Sequence, residues 1–443
     1  MRFFSDEAMA DTFLSVRDAL AKGKGKVRLR GWAHRVRTFN DKVFVVLRDH
    51  TGIVQCVIKP EQTSDKIFKE ASKISQESSF TIAGDLKEDK RAPGGYELQA
   101  SDFAMVQRAE APFPIAKAES ESPEFLLDNR HLWLRSRKMV AIMKVRDTVM
   151  EAIREYFRKD GFYEFSPPIF TPVACEGATT LFEVKYFEEK AYLTQSWQLY
   201  GEAAIFGLEK IFTISPCFRA ERSRTSRHLA EFWMAEVETA WQTFPELQEQ
   251  AEGLICFIIK HVLDKNADEL KELGQDIEKL KKIKAPFKRM TYTEVLKFLK
   301  EKEKMDVPWG KDLRTVEEEA LMKHFTSPVI VTNYPKEIMA FYKPVDPKDK
   351  KTALCMDMLA PEGYGEIIGG SQRDLDTAAM QKALKAAGEH ADHYGWYFDS
   401  RKYGSVPHAG FGMGVERVIA WLCKLDNIKD AIPFPRTMMR KTP

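Results

Sequence analysis

Between residues 27 and 108 the chain switches between apolar and polar at every second residue. "VRLRGWAHRVR", "KVFVVLRD", "IVQCVIK", "FTIAGDLKED" and "YELQASDFAMVQ" all carry the period of a strand. Turns such as "DHTG" and "APGG" separate them. Five short strands in about 80 residues have few ways to bury their apolar faces. Closure into a small β-barrel does so and also removes the exposed edges.

An oligonucleotide-binding barrel is the commonest design of that kind; the alternative is a β-domain with no ligand. From Arg17 to Arg37 there is one acid, Asp18, while "KGKGKVRLRGWAHRVR" packs seven Lys and Arg residues around Trp32. Cations of this kind neutralise phosphates and aromatic rings stack on unpaired bases, although lysines are also ordinary solvated residues. A net charge of +2 over 443 residues does not exclude such a local patch.

These patterns predict an N-terminal barrel domain over 1–108. A linker follows over 109–135, whose opening is rich in Pro, Ser and Glu. The larger domain, 136–443, mixes helices and strands, so the fold class is α+β. In it, 138–160 reads as an amphipathic helix. "GFYEFSPPIFTP" is a proline-interrupted strand suited to an edge or interface. Residues 244–302 read as charged and helical, and "HAGFGMGVERVIAWLCKL" as a Gly-rich turn feeding a helix. The six cysteines are scattered without a CxxC pair, which predicts reduced core residues and no zinc knuckle. No apolar run reaches membrane-spanning length and the start lacks a signal-peptide pattern, so a cytoplasmic protein is expected.

The chemistry is concentrated in "QSWQLYGEAAIFGLEKIFTISPCFRAERSRTSRHLAEFWMAEVETAW", residues 195–241. "FRAE" would place Arg219 and Glu221 on one face of a strand, with His228 and Phe232 on the return strand. A guanidinium fork suits phosphate or carboxylate, and a glutamate beside an aromatic suits an adenine amine and its ring. Together they suit a nucleoside triphosphate; the alternative is a surface hairpin with cross-strand ion pairs. "GFGMGVER" adds Arg417 for the far phosphates, though its glycines match neither the Walker nor the dinucleotide pattern. In "EIIGGSQRD", Glu366 is a natural Mg²⁺ ligand beside a triphosphate. No Ser–His–Asp set stands out, which fits in-line displacement at phosphorus.

These stretches resemble the three signature motifs of class II aminoacyl-tRNA synthetases, specifically the aspartate–asparagine–lysine group. "GFYEFSPPIFTP" with Pro168 is similar to the first, "FRAE…HLAEF" to the second and "GFGMGVER" to the third. The resemblance runs from about residue 25 to the carboxyl end. It implies a homodimer with Pro168 at the interface, an antiparallel catalytic sheet, and ATP-dependent activation of an amino acid followed by transfer to tRNA. Arg219 and Arg417 are then the catalytic residues. Glu221, Arg227, His228, Leu229, Phe232, Gly414, Val415 and Glu416 complete the ATP site with Glu366, which holds Mg²⁺. The amino acid is expected to meet Glu176, Ser196, Gln198, Gly201, Arg219, Glu236, Gly369 and Arg373. Phe44, Gln55 and Glu97 match the family's positions for reading the anticodon. Neither membrane nor DNA is expected as a partner.

Aspartyl members of the group carry a Q-x-Y-K pattern whose lysine meets the substrate carboxylate; here "QLYGEA" has Gly201 in that place. "MAEVE" presents Glu236 opposite. An anion that has lost its cation is hostile to a second carboxylate but accepts hydrogen bonds from a carboxamide. L-Asparagine and tRNA(Asn) are therefore the expected substrates. "LLDNRHLWLR", "YGEIIGGSQR" and "RKYGSVPHAGFG" also look like the compact archaeal type of asparaginyl enzyme. Gly369 stands where aspartyl relatives have a serine, which leaves Glu366 as the one expected metal ligand. The rival readings are a non-discriminating aspartyl enzyme, a synthetase-derived asparagine synthetase and a catalytically dead regulator. Gly201, the retained barrel, and the intact Arg219, Glu221 and Arg417 argue against each in turn.

Overall fold

The computed structural model describes residues 12–115, 121–222, 225–389 and 391–443. Two compact units divide the chain, Met1–Leu127 and Asp128–Pro443, so the division falls inside the stretch that reads as a linker.

In the first unit, β1 (Gly25–Thr38), β2 (Val43–Arg48), β3 (Ile53–Ile58), β4 (Ser79–Glu88) and β5 (Tyr96–Gln107) close a barrel in the order β1-β2-β3-β5-β4. The alternation explains the closure. Val27, Leu29, Val43, Val45, Leu47, Val54, Cys56, Ile58, Ile82 and Leu98 point inward and are fully buried. Arg28 and Arg30 stay outside, with their guanidiniums 4.7 and 5.1 Å from the Phe13 ring centre.

The second unit is built on a mostly antiparallel sheet. Its strands are β6 (Tyr163–Glu164), β10 (Lys210–Phe218), β11 (Glu231–Ala240), β12 (Lys288–Thr291), β13 (Val329–Thr332), β14 (Cys355–Ala360), β15 (Gly365–Gln372) and β16 (His408–Gly414). A separate three-stranded sheet holds β7 (Phe170–Thr171), β8 (Glu183–Tyr186) and β9 (Glu189–Leu193). The large sheet runs β12-β13-β14-β15-β16-β11-β10-β6, which puts the proline-broken β6 at its edge. Helix α1 (Arg137–Lys159) begins at Ser136, whose hydroxyl accepts from the Met139 amide at 3.2 Å. Its buried stripe, including Ile142, Val145, Val149 and Phe157, packs against α3 (Phe244–Glu272). Helix α2 (Gln198–Leu208) lies between β9 and β10 in sequence, and α4 (Val415–Leu422) follows β16.

Three local expectations change. Arg219, Glu221 and His228 do not lie on strands: β10 ends at Phe218 and β11 starts at Glu231, so all three belong to the connection. The charged span 244–302 is interrupted by β12 after Pro286, whose ring cannot continue a helix. "HAGFGMG" is a central strand, not a turn. Its glycines make room: a Cβ at Gly410 would lie 2.3 Å from the Glu238 carboxylate, and one at Gly412 2.5 Å from Met234 Cε.

Candidate active site

One face of the large sheet collects the charged residues. β10 pairs with β11 in register Cys217↔Phe232, and the backbone N–H of Arg219 donates to the Ala230 carbonyl at 3.0 Å. This closes the connection so that the Arg219 guanidinium stands 5.4 Å from the centre of the Phe232 ring. Burial favours its neutral form, but the charges of Glu176, Glu221 and Glu366 hold it firmly protonated. Its Nε is buried and has no hydrogen-bond partner among the described residues, the condition of a group whose partner is a ligand.

A cleft opens over this position. Arg219, Glu221, Arg227, His228, Leu229, Phe232, Glu366, Gly414, Glu416 and Arg417 all line it. At its open end the charges are paired with one another. His228 Nε2 lies 3.5 Å from Glu221, Arg417 Nη1 donates to the Glu366 carbonyl at 2.7 Å and to its Oε2 at 3.2 Å, and Arg227 is tied to Glu319 and the Gly363 carbonyl. Burial, then the cations around it, lowers the His228 pKa below the usual imidazole value. Two of the expected residues open α4. Val415 is wholly buried as its first residue. Glu416, which also lines the cleft, lies 2.6 Å from Arg146 and accepts from the Trp233 amide at 2.9 Å.

Glu366 has a neighbour that sequence reading missed. Register in the β14–β15 pair slips between Met358↔Ile368 and Leu359↔Glu366, leaving Ile367 as an extra residue. This bulge turns Glu366 to the same side as position 369. A Cβ on Gly369 would lie 2.9 Å from Glu366 Oε1 and 3.5 Å from Asp357 Oδ1. Burial and the facing Glu366 push the Asp357 pKa well up. Two convergent carboxylates are the hard oxygen donors that Mg²⁺ takes. Among the described residues no group of three His, Cys, Asp or Glu side chains forms a self-sufficient metal site.

A second set of polar groups is joined by hydrogen bonds. Glu176 Oε1 accepts from the Tyr342 hydroxyl at 2.8 Å. Desolvation of its carboxyl raises its pKa, but the residue is exposed overall, and the cations Arg219 and Lys343 hold the pKa below the usual value. Gln195, also missed, fixes that loop: its Oε1 accepts from the amides of Cys175 and Glu176, both at 3.1 Å. Glu236 receives the Ser196 hydroxyl, the Trp197 amide at 3.2 Å and the Cys217 thiol at 3.8 Å. No cation among the described residues is within ion-pair distance of it, and burial pushes its pKa up to about 7.

Its neighbour Glu238 is fully engaged. Arg373 donates to both Glu238 oxygens (Nε at 3.2 Å) and to the Ser371 hydroxyl at 2.8 Å, and its Nε lies 3.8 Å from Glu202. Glu202 is held ionised although burial opposes it, by Arg401, His408 and Arg373. It also accepts from Gln198 Nε2 and from the Tyr397 hydroxyl, both at 2.8 Å. Gln198 keeps its carbonyl oxygen with only the Cys175 thiol at 4.0 Å. A Cβ on Gly201 would meet the Trp197 ring at 2.7 Å. A glycine in "QLYG" reads as a lost lysine, and nothing local signals that a tryptophan needs its space.

In the barrel, Phe44 is half-buried outside the core cluster, edge-on to Phe39 with centroids 6.1 Å apart. Val46 pairs with Gln55 and Gln55 with Glu97, and Gln55 Nε2 donates to Glu97 Oε2 at 2.8 Å. Phe44 lies two residues from Val46, so these three side chains share one outer face. Pro168 is exposed, beside exposed Ile169 and Phe170.

The family described as tRNA synthetases class II (D, K and N) matches residues 122–438, and that described as OB-fold nucleic acid binding domain matches 27–106. The asparagine–tRNA ligase of Thermococcus kodakarensis is 48% identical over 419 residues, covering 94% of this chain and 96% of that one. That of Thermoplasma acidophilum is 45% identical over 418 residues with the same coverages. The crystal structure of asparaginyl-tRNA synthetase from Pyrococcus horikoshii complexed with asparaginyl-adenylate superposes with a TM-score of 0.94 at 44% identity, over 98% of this chain and 100% of that one.

Proposed function

We infer the activity from one premise: the chain belongs to the class II tRNA synthetases of the aspartate, lysine and asparagine group. Its activity is that of an asparagine–tRNA ligase, in which ATP and L-asparagine give asparaginyl-adenylate and pyrophosphate, and the acyl group passes to tRNA. The observation that carries the substrate choice is Glu236, a buried carboxylate with hydrogen-bond donors and no cation at ion-pair distance among the described residues. A carboxamide offers it N–H donors, and a substrate carboxylate would place two anions together in a low dielectric. The non-discriminating alternative needs a positive neighbour at Glu236. The asparagine-synthetase alternative leaves the barrel and its Phe44, Gln55 and Glu97 face without a use.

The residue roles follow from the chemistry. Glu176 takes the α-ammonium, with the Gln198 carbonyl beside it. Arg219 holds the attacking carboxylate and the α-phosphate, neutralising charge as it grows at phosphorus. Phe232 stacks on adenine and Glu221 accepts from its amine. Arg227, His228 and Arg417 exchange their present carboxylate partners for the outer phosphates. Glu366, with Asp357, would hold Mg²⁺, which supplies further charge neutralisation on the phosphates. Phe44, Gln55 and Glu97 meet the anticodon of tRNA(Asn). The exposed Pro168, Ile169 and Phe170 form part of a homodimer interface, and the role in translation places the protein in the cytoplasm. No helix of the described residues is long and apolar enough to cross a membrane. The test is pyrophosphate exchange into ATP with either amino acid. Asparagine is expected to support it and aspartate to do so at least a hundredfold less well; equal exchange would defeat the assignment.

A further inference from the structure

Position 201 is the fourth residue of α2 and Trp197 its N-cap, so the two stand one turn apart on the same helix face. A Cβ at 201 would lie 2.7, 2.9 and 3.0 Å from Cζ3, Cη2 and Cε3 of the indole, closer than real carbon contacts allow. The ring has nowhere to retreat. It is 0% exposed, packs on Phe165 with ring centres 5.6 Å apart, and shares a core cluster with Ile205, Ile211 and Ala240. Its Nε1–H is buried without a hydrogen-bond partner among the described residues, so volume and not polarity accounts for an indole here. The same residue's backbone N–H donates to Glu236, and its neighbours Ser196 and Gln198 bond Glu236 and Glu202.

We propose that Trp197 is a specificity-determining residue of the asparagine reaction: its indole fills the space above position 201 from which a cation would otherwise reach Glu236 or a substrate carboxylate. Rejection of aspartate is then a two-residue device. Gly201 leaves room for Trp197, and Trp197 forbids any side chain at 201. Restoring the lysine of the aspartyl pattern alone overpacks the core and strains the 196–198 strap. Only removal of the indole lets the new ammonium lie along the vacated volume.

The inference rests on the function proposed above, and one set of full-length proteins separates the two: wild type, Gly201→Lys, Trp197→Ala and the double variant. Thermal unfolding and amino-acid-dependent pyrophosphate exchange are read on each. Gly201→Lys alone is expected to lower Tm by at least about 3 °C and to leave the aspartate-to-asparagine kcat/KM ratio within about threefold of wild type. Trp197→Ala lowers Tm with a similarly small change in ratio. The double variant shifts the ratio toward aspartate by about tenfold or more. A Gly201→Lys protein that shifts the ratio as far as the double variant overturns the proposal, as does a double variant with asparagine exchange and an unchanged ratio. Should the lysine variants not fold, Gly201→Ala decides: it is expected to lower Tm in the native background and raise it beside Trp197→Ala, where only its helix propensity acts. Equal effects in both backgrounds would reject the steric coupling. Failure of the underlying function shows instead in the wild type, as equal exchange with both amino acids.

Discussion

The two ends of the catalytic cleft treat charge in opposite ways. At the nucleotide end Arg227, His228 and Arg417 are half-exposed and paired with Glu319, Glu221 and Glu366. Such pairs are worth little and are easily exchanged for phosphate oxygens. At the proposed amino-acid end Glu202, Glu238 and Arg373 are buried and mutually bonded, and Glu236 is buried with no cation at ion-pair distance among the described residues. The nucleotide end can adapt to a ligand common to many enzymes. The amino-acid end must discriminate between a carboxamide and a carboxylate, so its groups are locked in advance and moving any of them is costly.

The sharpest way to break the contrast is at the junction. Arg219→Ala removes the guanidinium shared by both ends and should cut pyrophosphate exchange about a thousandfold, near 4 kcal/mol of transition-state stabilisation. Glu202→Gln tests the rigid end. Arg401, His408 and Arg373 lose a common buried anion, and stability should fall by about 3–5 kcal/mol in thermal or urea unfolding. The sign with pH follows from the lowered folded-state pKa of Glu202: its stabilising contribution is complete above the ordinary glutamate range and is lost on acidification. The gap between wild type and variant should therefore narrow as pH falls.

Glu236 gives a smaller and more specific effect. With its pKa near 7, the carboxyl is mostly ionised at pH 8 and mostly neutral at pH 6. Repulsion of aspartate should therefore weaken as pH drops through 7, lowering the asparagine-to-aspartate kcat/KM ratio by about tenfold. A ratio that does not change with pH would remove Glu236 from the discrimination. Arg227→Ala, at the adaptable end, should raise the KM for ATP about fivefold with little loss of Tm. Phe44→Ala should leave pyrophosphate exchange untouched and raise the KM for tRNA a few-fold, because it removes only a stacking face.

Much of this arrangement is legible in the chain, and the failures are instructive. The barrel follows from strict alternation, so its five strands lie where the period puts them. Arg219, Glu221, His228 and Phe232 do converge on one cleft, although three of them sit on a connection and not on strands. "HAGFGMG" reads as a turn because its glycines are usually loop residues. It is a strand because Glu238 and Met234 from β11 occupy the space where side chains would be. Asp357 gives no local signal at all, since its partner Glu366 reaches it only through the β14–β15 pairing and its bulge.

What the chain determines by itself is whatever depends on neighbours in sequence: strand period, helix stripes and caps, and the residue types at each motif. The charge state of each carboxylate is different. Arg373, 135 residues away, pairs with Glu238 and not with Glu236, two positions earlier on the same strand, while burial pushes both carboxyl pKa values up. Coulomb and desolvation energies depend on distance and burial in space. Only tertiary packing therefore decided which glutamate pairs with Arg373, and which glycine lies against a tryptophan.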